Sequence, residues 1–140
     1  MLQREDIERI LTEHPWLPRP KYIYILNAPV IFPELRAIVH GINPGFERDT
    51  VILGTTATAE TLIHECIHVA RLGEFAAYNL APRILKFRER FPALIRRPVK
   101  YRERKISSDE LLKYGLSPYM RIDHIYMPTK LEVIQLERVE

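Results

Sequence analysis

The chain has a single cysteine, Cys66. One thiol excludes an intrachain disulfide framework and a cysteine-rich structural zinc site, so any bound metal must be held by nitrogen and oxygen. No apolar run approaches the ~20 residues that a bilayer-spanning helix requires. The opening segment, "MLQREDIERI", is too charged for a secretory leader. These absences predict a soluble, cytoplasmic protein with no membrane partner. Internal repeats, low-complexity tracts and interdomain linkers are also missing, so residues 1–140 are expected to form one domain. A chain of that length can bury about two-thirds of its unfolded surface. Two Gln and three Asn stand against 11 Pro, a bias reported for hyperthermophile proteins, and it predicts a thermophilic source.

What is present reads as an alternation of helices and strands. Ile7, Ile10 and Leu11 recur at helical spacing before Pro15 and Pro18, which predicts a short first helix. "KYIYILNAP" is rich in β-branched and aromatic residues and predicts a strand. Residues 34–55 read as two strands around a turn at Asn43, Pro44 and Gly45, so about three strands precede the next helix. "TTATAETLIHECIHVARLG" predicts a central helix capped by Thr55, Thr56 or Thr58. It is apolar on most sides through Leu62, Ile63, Ile67 and Val69, and belongs in the core. Gly73 is expected to end it in a left-handed conformation. Residues 74–92 predict a further helix, kinked at Pro82 or restarted there. Ser107 or Ser108 caps a short helix, and residues 119–128 and 131–140 read as closing strands within a C-terminal extension, 106–140. The expected class is α+β, a small mixed or antiparallel sheet packed against the central helix and further helices.

The central helix carries "HECIH", residues 64–68. Residues four apart lie about 40° apart in projection and one turn apart in height, so His64 and His68 can offer two imidazole nitrogens to one ion. Zn²⁺ accepts such nitrogens together with a carboxylate, and a catalytic site leaves its fourth position for water. Glu65, projecting beside the pair, is the candidate general base for that water. Burying two histidines and a glutamate on an apolar helix without partners would be costly, which favours a metal site with one zinc per chain. Cys66, inside the motif, reads as a small core hydrophobe.

These residues, with the strand leading into the helix and "EFAAYNLA" after it, resemble the zincin metallopeptidases over about residues 22–91. The resemblance implies a zincin-like fold and hydrolysis of peptide bonds in a peptide or protein substrate. It also implies that "ERDTVIL", residues 47–53, forms the sheet edge on which the substrate pairs. Glu74 follows His68 at the spacing of the third ligand in metzincins, although Arg71 stands where that group has glycine. Glu74 also begins a Glu-x-x-Ala-x-x-x-Ala pattern with Ala77 and Ala81, similar to the glutamate helix of gluzincins and of small zincins related to the ImmA/IrrE group. On these grounds the resemblance implies His64, His68 and Glu74 as ligands. A regular helix continued through Leu72 would carry Glu74 up to ~9 Å beyond His68 along its axis, so prompt reversal of the chain is required. Glu89, at a spacing near that of thermolysin-like gluzincins, and His124 remain alternatives. Tyr78, Tyr119 and His124 are candidates to donate to a developing oxyanion, with none singled out.

Residues 83–105 contain ten Lys or Arg against Glu89 and Glu103, a local charge of +8 in a chain of net charge +3. Interleaved with Phe87, Phe91 and Tyr101, this basic segment could contact nucleic acid through phosphates and stacked bases. The alternative function is therefore a catalytically inactive or regulatory zincin-like binding protein that uses residues 83–105.

Overall fold

A computed structural model describes residues 1–32, 37–44, 47, 49–90, 98–114 and 131–139. In chain order the elements are α1 (Arg4–Glu13), β1 (Tyr22–Leu26), β2 (Val30–Phe32), β3 (Ala37–Val39), β4 (Gly41–Ile42), β5 (Thr50–Leu53), α2 (Ala59–Val69), α3 (Glu74–Arg90), β6 (Lys100–Ile106), a 3-10 helix (Ser108–Tyr114) and β7 (Val133–Val139). The class is α+β. A five-stranded sheet has the order β4-β5-β1-β7-β6, and β2 and β3 form a separate antiparallel pair. The sheet is mixed: β1 runs parallel to β5, with Ile23 opposite Val51. All its other pairings are antiparallel.

Alternation along β1 and β5 explains why both segments are continuously apolar. Ile23, Ile25, Val51 and Leu53 join one buried cluster with Ile7 and Leu11 of α1 and Leu62 and Ile63 of α2. Tyr24, Leu26 and Ile52 join a second with Val30 and Leu111. Strands covered on both faces lose the polar half of the two-residue period. Each buried aliphatic side chain of this kind contributes about 1.5–3 kcal/mol.

Several elements differ from the sequence-based expectation. Among the described residues five strands precede α2 where about three are expected, because β2, β3 and β4 are only two or three residues long. Within the basic segment, residues 100–106 form β6. Its pattern is masked because it lies at an edge, with Tyr101 buried and Lys100, Arg102, Arg104 and Lys105 exposed. Part of its outer side is satisfied by α1: Tyr101 N–H donates to the Glu8 carboxylate at 2.7 Å, and nearby Val99 N–H to the Thr12 hydroxyl at 3.2 Å. Residues 133–139 are no appended extension, since β7 lies between β1 and β6. Helix α3 passes through Pro82 without a break, although proline denies the Tyr78 carbonyl its helical donor. The expected strand at 119–128, and Gly45 of the expected turn, lie outside the described residues. No helix among the described residues is long and apolar enough to cross a membrane.

Candidate metal centre

The site begins where β5 delivers the chain to α2. At Gly54 an added Cβ would come within 2.9 Å of the Val30 backbone nitrogen, so the bend there fits glycine alone. Thr58 then caps α2: its hydroxyl accepts the Thr61 N–H at 3.3 Å, and its own N–H donates to the Thr61 hydroxyl at 3.1 Å. This reciprocal cap fixes the start of the helix and therefore its rotation. Leu62, Ile63, Cys66 and Ile67 turn into the core, and His64 and His68 are left half-buried on the cleft side.

The His64 and His68 rings stand 4.9 Å apart, and their Nε2 atoms are separated by 3.2 Å. His68 Nδ1 lies 2.9 Å from the Leu72 carbonyl oxygen. A carbonyl can only accept, so Nδ1 carries the proton and Nε2 is the atom left to bind at the cleft. Glu74 Oε1 is 2.5 Å from His68 Nε2 and 3.7 Å from His64 Nε2. Electron-pair donors at such separations repel unless a positive charge lies among them, either a proton or a metal ion. Two ligands on a tetrahedral zinc sit about 3.3 Å apart, given bond lengths near 2.0 Å. The imidazole pair already has that spacing. Glu74 is closer to His68 than two ligands would be, and its side chain is 65% exposed, which leaves it room to open the gap. The donor set therefore fits zinc.

His64, Glu65 and His68 also converge, with one ligand atom of each within 4.8 Å of the others. Glu74 approaches both imidazoles more closely than Glu65 does, whose carboxylate lies 3.9 Å from His64 Nε2. Glu65 is 6% exposed. Burial pushes its carboxyl up to about 7, against the opposing effects of His68 and of the Asn43 backbone N–H, which donates to it. Burial likewise lowers His64, while Glu74 beside it acts in the opposite direction.

Glu74 reaches the histidines because α2 stops at Val69. Ala70 closes the helix and Arg71 takes a left-handed φ of 68°. Arg71 N–H donates to the His68 carbonyl at 2.8 Å, and Leu72 N–H to the Ile67 carbonyl at 3.4 Å. This is the Schellman arrangement, with arginine where glycine is usual. The expectation that Gly73 makes the left-handed turn is thus corrected: among non-glycine residues described, Arg71 alone has a positive φ, and none is found at Gly73. Gly73 instead precedes α3, where its carbonyl accepts the Ala77 N–H at 3.0 Å. Ala77 and Ala81 are buried and let α3 lie close on α2.

Of the other candidates, Glu89 stands on α3 fifteen residues beyond Glu74, which is about 22 Å along a helix axis. His124 and Tyr119 lie outside the described residues. Tyr78 does reach the site, its ring edge-to-face with His64 at 4.8 Å. A cleft of about 1090 Å³ opens over these groups, between α2 and α3 on one side and Gly41, Ile42 and Asn43 on the other. Strand β5 is not the edge beside it. It pairs with both β1 and β4, so β4 is the edge strand.

Four contributors were not apparent from the sequence. Asn43 reads there only as a turn former, yet its backbone holds Glu65 and its side-chain amide donates to the Thr50 carbonyl at 2.8 Å. His40 Nδ1 and the Thr56 hydroxyl, 2.7 Å apart, line the same cleft. Arg71 has a signal that could have been used: it occupies the position where metzincins carry their turning glycine. In comparisons with protein-family models, curated proteins and solved structures, none matches this chain. The functional reading therefore rests on the geometry of the site.

Proposed function

We propose that this protein is a zinc-dependent peptidase of the zincin type, with His64, His68 and Glu74 as ligands to one zinc ion and Glu65 as general base. The observation that carries the proposal is the convergence of two imidazole Nε2 atoms and one carboxylate oxygen beside a buried, separately held carboxyl. When bound, zinc would supply Lewis acidity, polarising a peptide carbonyl and bringing a water's pKa towards 7. His68 is oriented for ligation by the Leu72 carbonyl, and such outer-shell bonds fix both tautomer and ring direction. Glu65 takes the proton from the attacking water and returns it to the departing amine, a role suited to a carboxyl whose pKa lies near neutrality. The Asn43 N–H keeps that carboxylate directed at the cleft. An extended substrate can add to the sheet at β4, the edge that borders the cleft. A cytoplasmic setting belongs to the same proposal.

Metal analysis and proteolysis of an unfolded protein substrate test the reading together. The expected result is about one zinc per chain, chelator-sensitive cleavage, and loss of cleavage with zinc retained in Glu65→Gln. Absence of zinc, or equal cleavage by wild type and Glu65→Gln, would overturn it. Zinc retained with no cleavage would favour the binding-protein alternative. Among the described residues of 83–105, the exposed cations for nucleic-acid contact then lie on two elements, Arg83 and Lys86 on α3 and Lys100, Arg102, Arg104 and Lys105 on β6.

A further inference from the structure

We infer that Arg71 recognises a carboxylate on the substrate, either an Asp or Glu side chain beside the scissile bond or the free C-terminus of a peptide. This assignment rests on the peptidase reading and names a substrate class for it. The backbone turn after α2 requires a left-handed residue, and glycine meets that need without a Cβ clash. Arginine occupies the position nonetheless, at φ 68°. An unfavourable backbone conformation next to a reaction centre calls for a reason in the side chain.

The side chain supplies one. Arg71 is exposed, and among the described residues it is the one Lys or Arg that lines the cleft. Among the described residues its guanidinium has neither an ion pair nor a hydrogen bond. The carboxylates that share the cleft do not neutralise it. Glu65 is buried and held by the Asn43 N–H, and Glu74 is engaged with His68. Glu60 lies in the first turn of α2, about 15 Å away along the helix axis. Arg71 thus stands at one end of the cleft and Glu60 at the other. A guanidinium fork matches a carboxylate with two parallel N–H···O bonds, which a neutral amide cannot reproduce. Placed immediately after the ligand helix, it selects substrates by a carboxylate near the bond to be cut.

Four peptides that share one scissile bond provide the test. Two carry Glu or Gln beside that bond, and each is made with a free or an amidated C-terminus. Cleavage is measured as kcat/KM on the zinc-loaded protein, and binding as Kd for fluorescent versions on zinc-loaded Glu65→Gln. The expected result is a preference of about tenfold or more for the carboxylate over the amide in one of the two pairs, and the pair that shows it identifies the source. Arg71→Gly, which suits the left-handed turn, should bring that ratio to about one, and Arg71→Lys should retain part of it. Equal handling of all four peptides by the wild type, or a preference that survives Arg71→Gly, would overturn the inference. Equal cleavage of all four would do so while leaving the peptidase reading intact. Selective binding without any cleavage would do the reverse. Binding of none of the four would also overturn it.

Discussion

Glu65 is the residue whose environment most directly shapes the behaviour of the site. Its carboxyl is raised by burial from an ordinary value of 4.5 to about 7. A folded-state pKa above the unfolded one means that the protonated form favours folding. The contribution is therefore complete below about pH 4.5 and is lost as pH rises through about 7. Urea unfolding of the metal-free protein should show stability falling across that window by up to about 3 kcal/mol relative to Glu65→Gln, which cannot titrate. A neighbouring dication favours the carboxylate, so the acid limb of kcat/KM in the zinc-loaded protein should lie below the metal-free value of about 7. An acid limb displaced above it would contradict Glu65 as general base. Replacing that base should reduce kcat by about 10²-fold or more. Cys66, fully buried with its thiol pushed up by burial, should resist alkylation at pH 8 until the protein unfolds, and labelling on a native timescale would show otherwise. At this scale the sequence was informative. The roles of His64, Glu65 and His68 depend only on residue type and helical spacing, which are local properties.

At the scale of elements, the turn between α2 and α3 decides whether Glu74 arrives at the histidines. A left-handed non-glycine residue is strained by about 1 kcal/mol, so Arg71→Gly should raise the unfolding free energy by about 0.5–1 kcal/mol even as it removes carboxylate selectivity. Gly73→Ala should change stability by less than about 1 kcal/mol and leave zinc binding in place, since an added Cβ meets nothing within 4 Å. The opposite ranking of these two variants in thermal melts would restore Gly73 as the turning residue. Ala77→Leu should destabilise by about 1–3 kcal/mol through overpacking and weaken zinc retention, because it forces α3 and its Glu74 away from α2. The Thr58 cap, the apolar face of α2 and the small residues of α3 were legible as patterns. The position of the turn was not: the usual preference for glycine points to Gly73, whereas the left-handed residue is Arg71.

Across the whole molecule, the motif helix is held by a sheet whose middle includes the C-terminal strand. Ile134 stands opposite Ile25, and Leu136 opposite Ile23. Removing residues 131–140 would uncover β1 and strip β6 of its partner among the described strands, so the shortened chain should fail to fold cooperatively by circular dichroism. A ligand that binds only the folded state stabilises it by about 2.7 kcal/mol at a free concentration 100 times its Kd. Zinc should therefore raise Tm and a chelator lower it, and a Tm independent of both would argue against a metal site built from α2 and α3 together. The amino-acid sequence by itself determined the α+β class, the run of α1, β1 and α2, and the placing of two imidazoles and a carboxylate on one helix. Each of these follows from propensity and periodicity within about a dozen residues. Only the tertiary structure decided that Glu74 joins them through a turn at Arg71, that β4 is the strand at the cleft, and that β6 and β7 complete the sheet. Those features depend on chain reversal and on pairing between segments distant in sequence, and no local pattern encodes which partner a strand or carboxylate will meet.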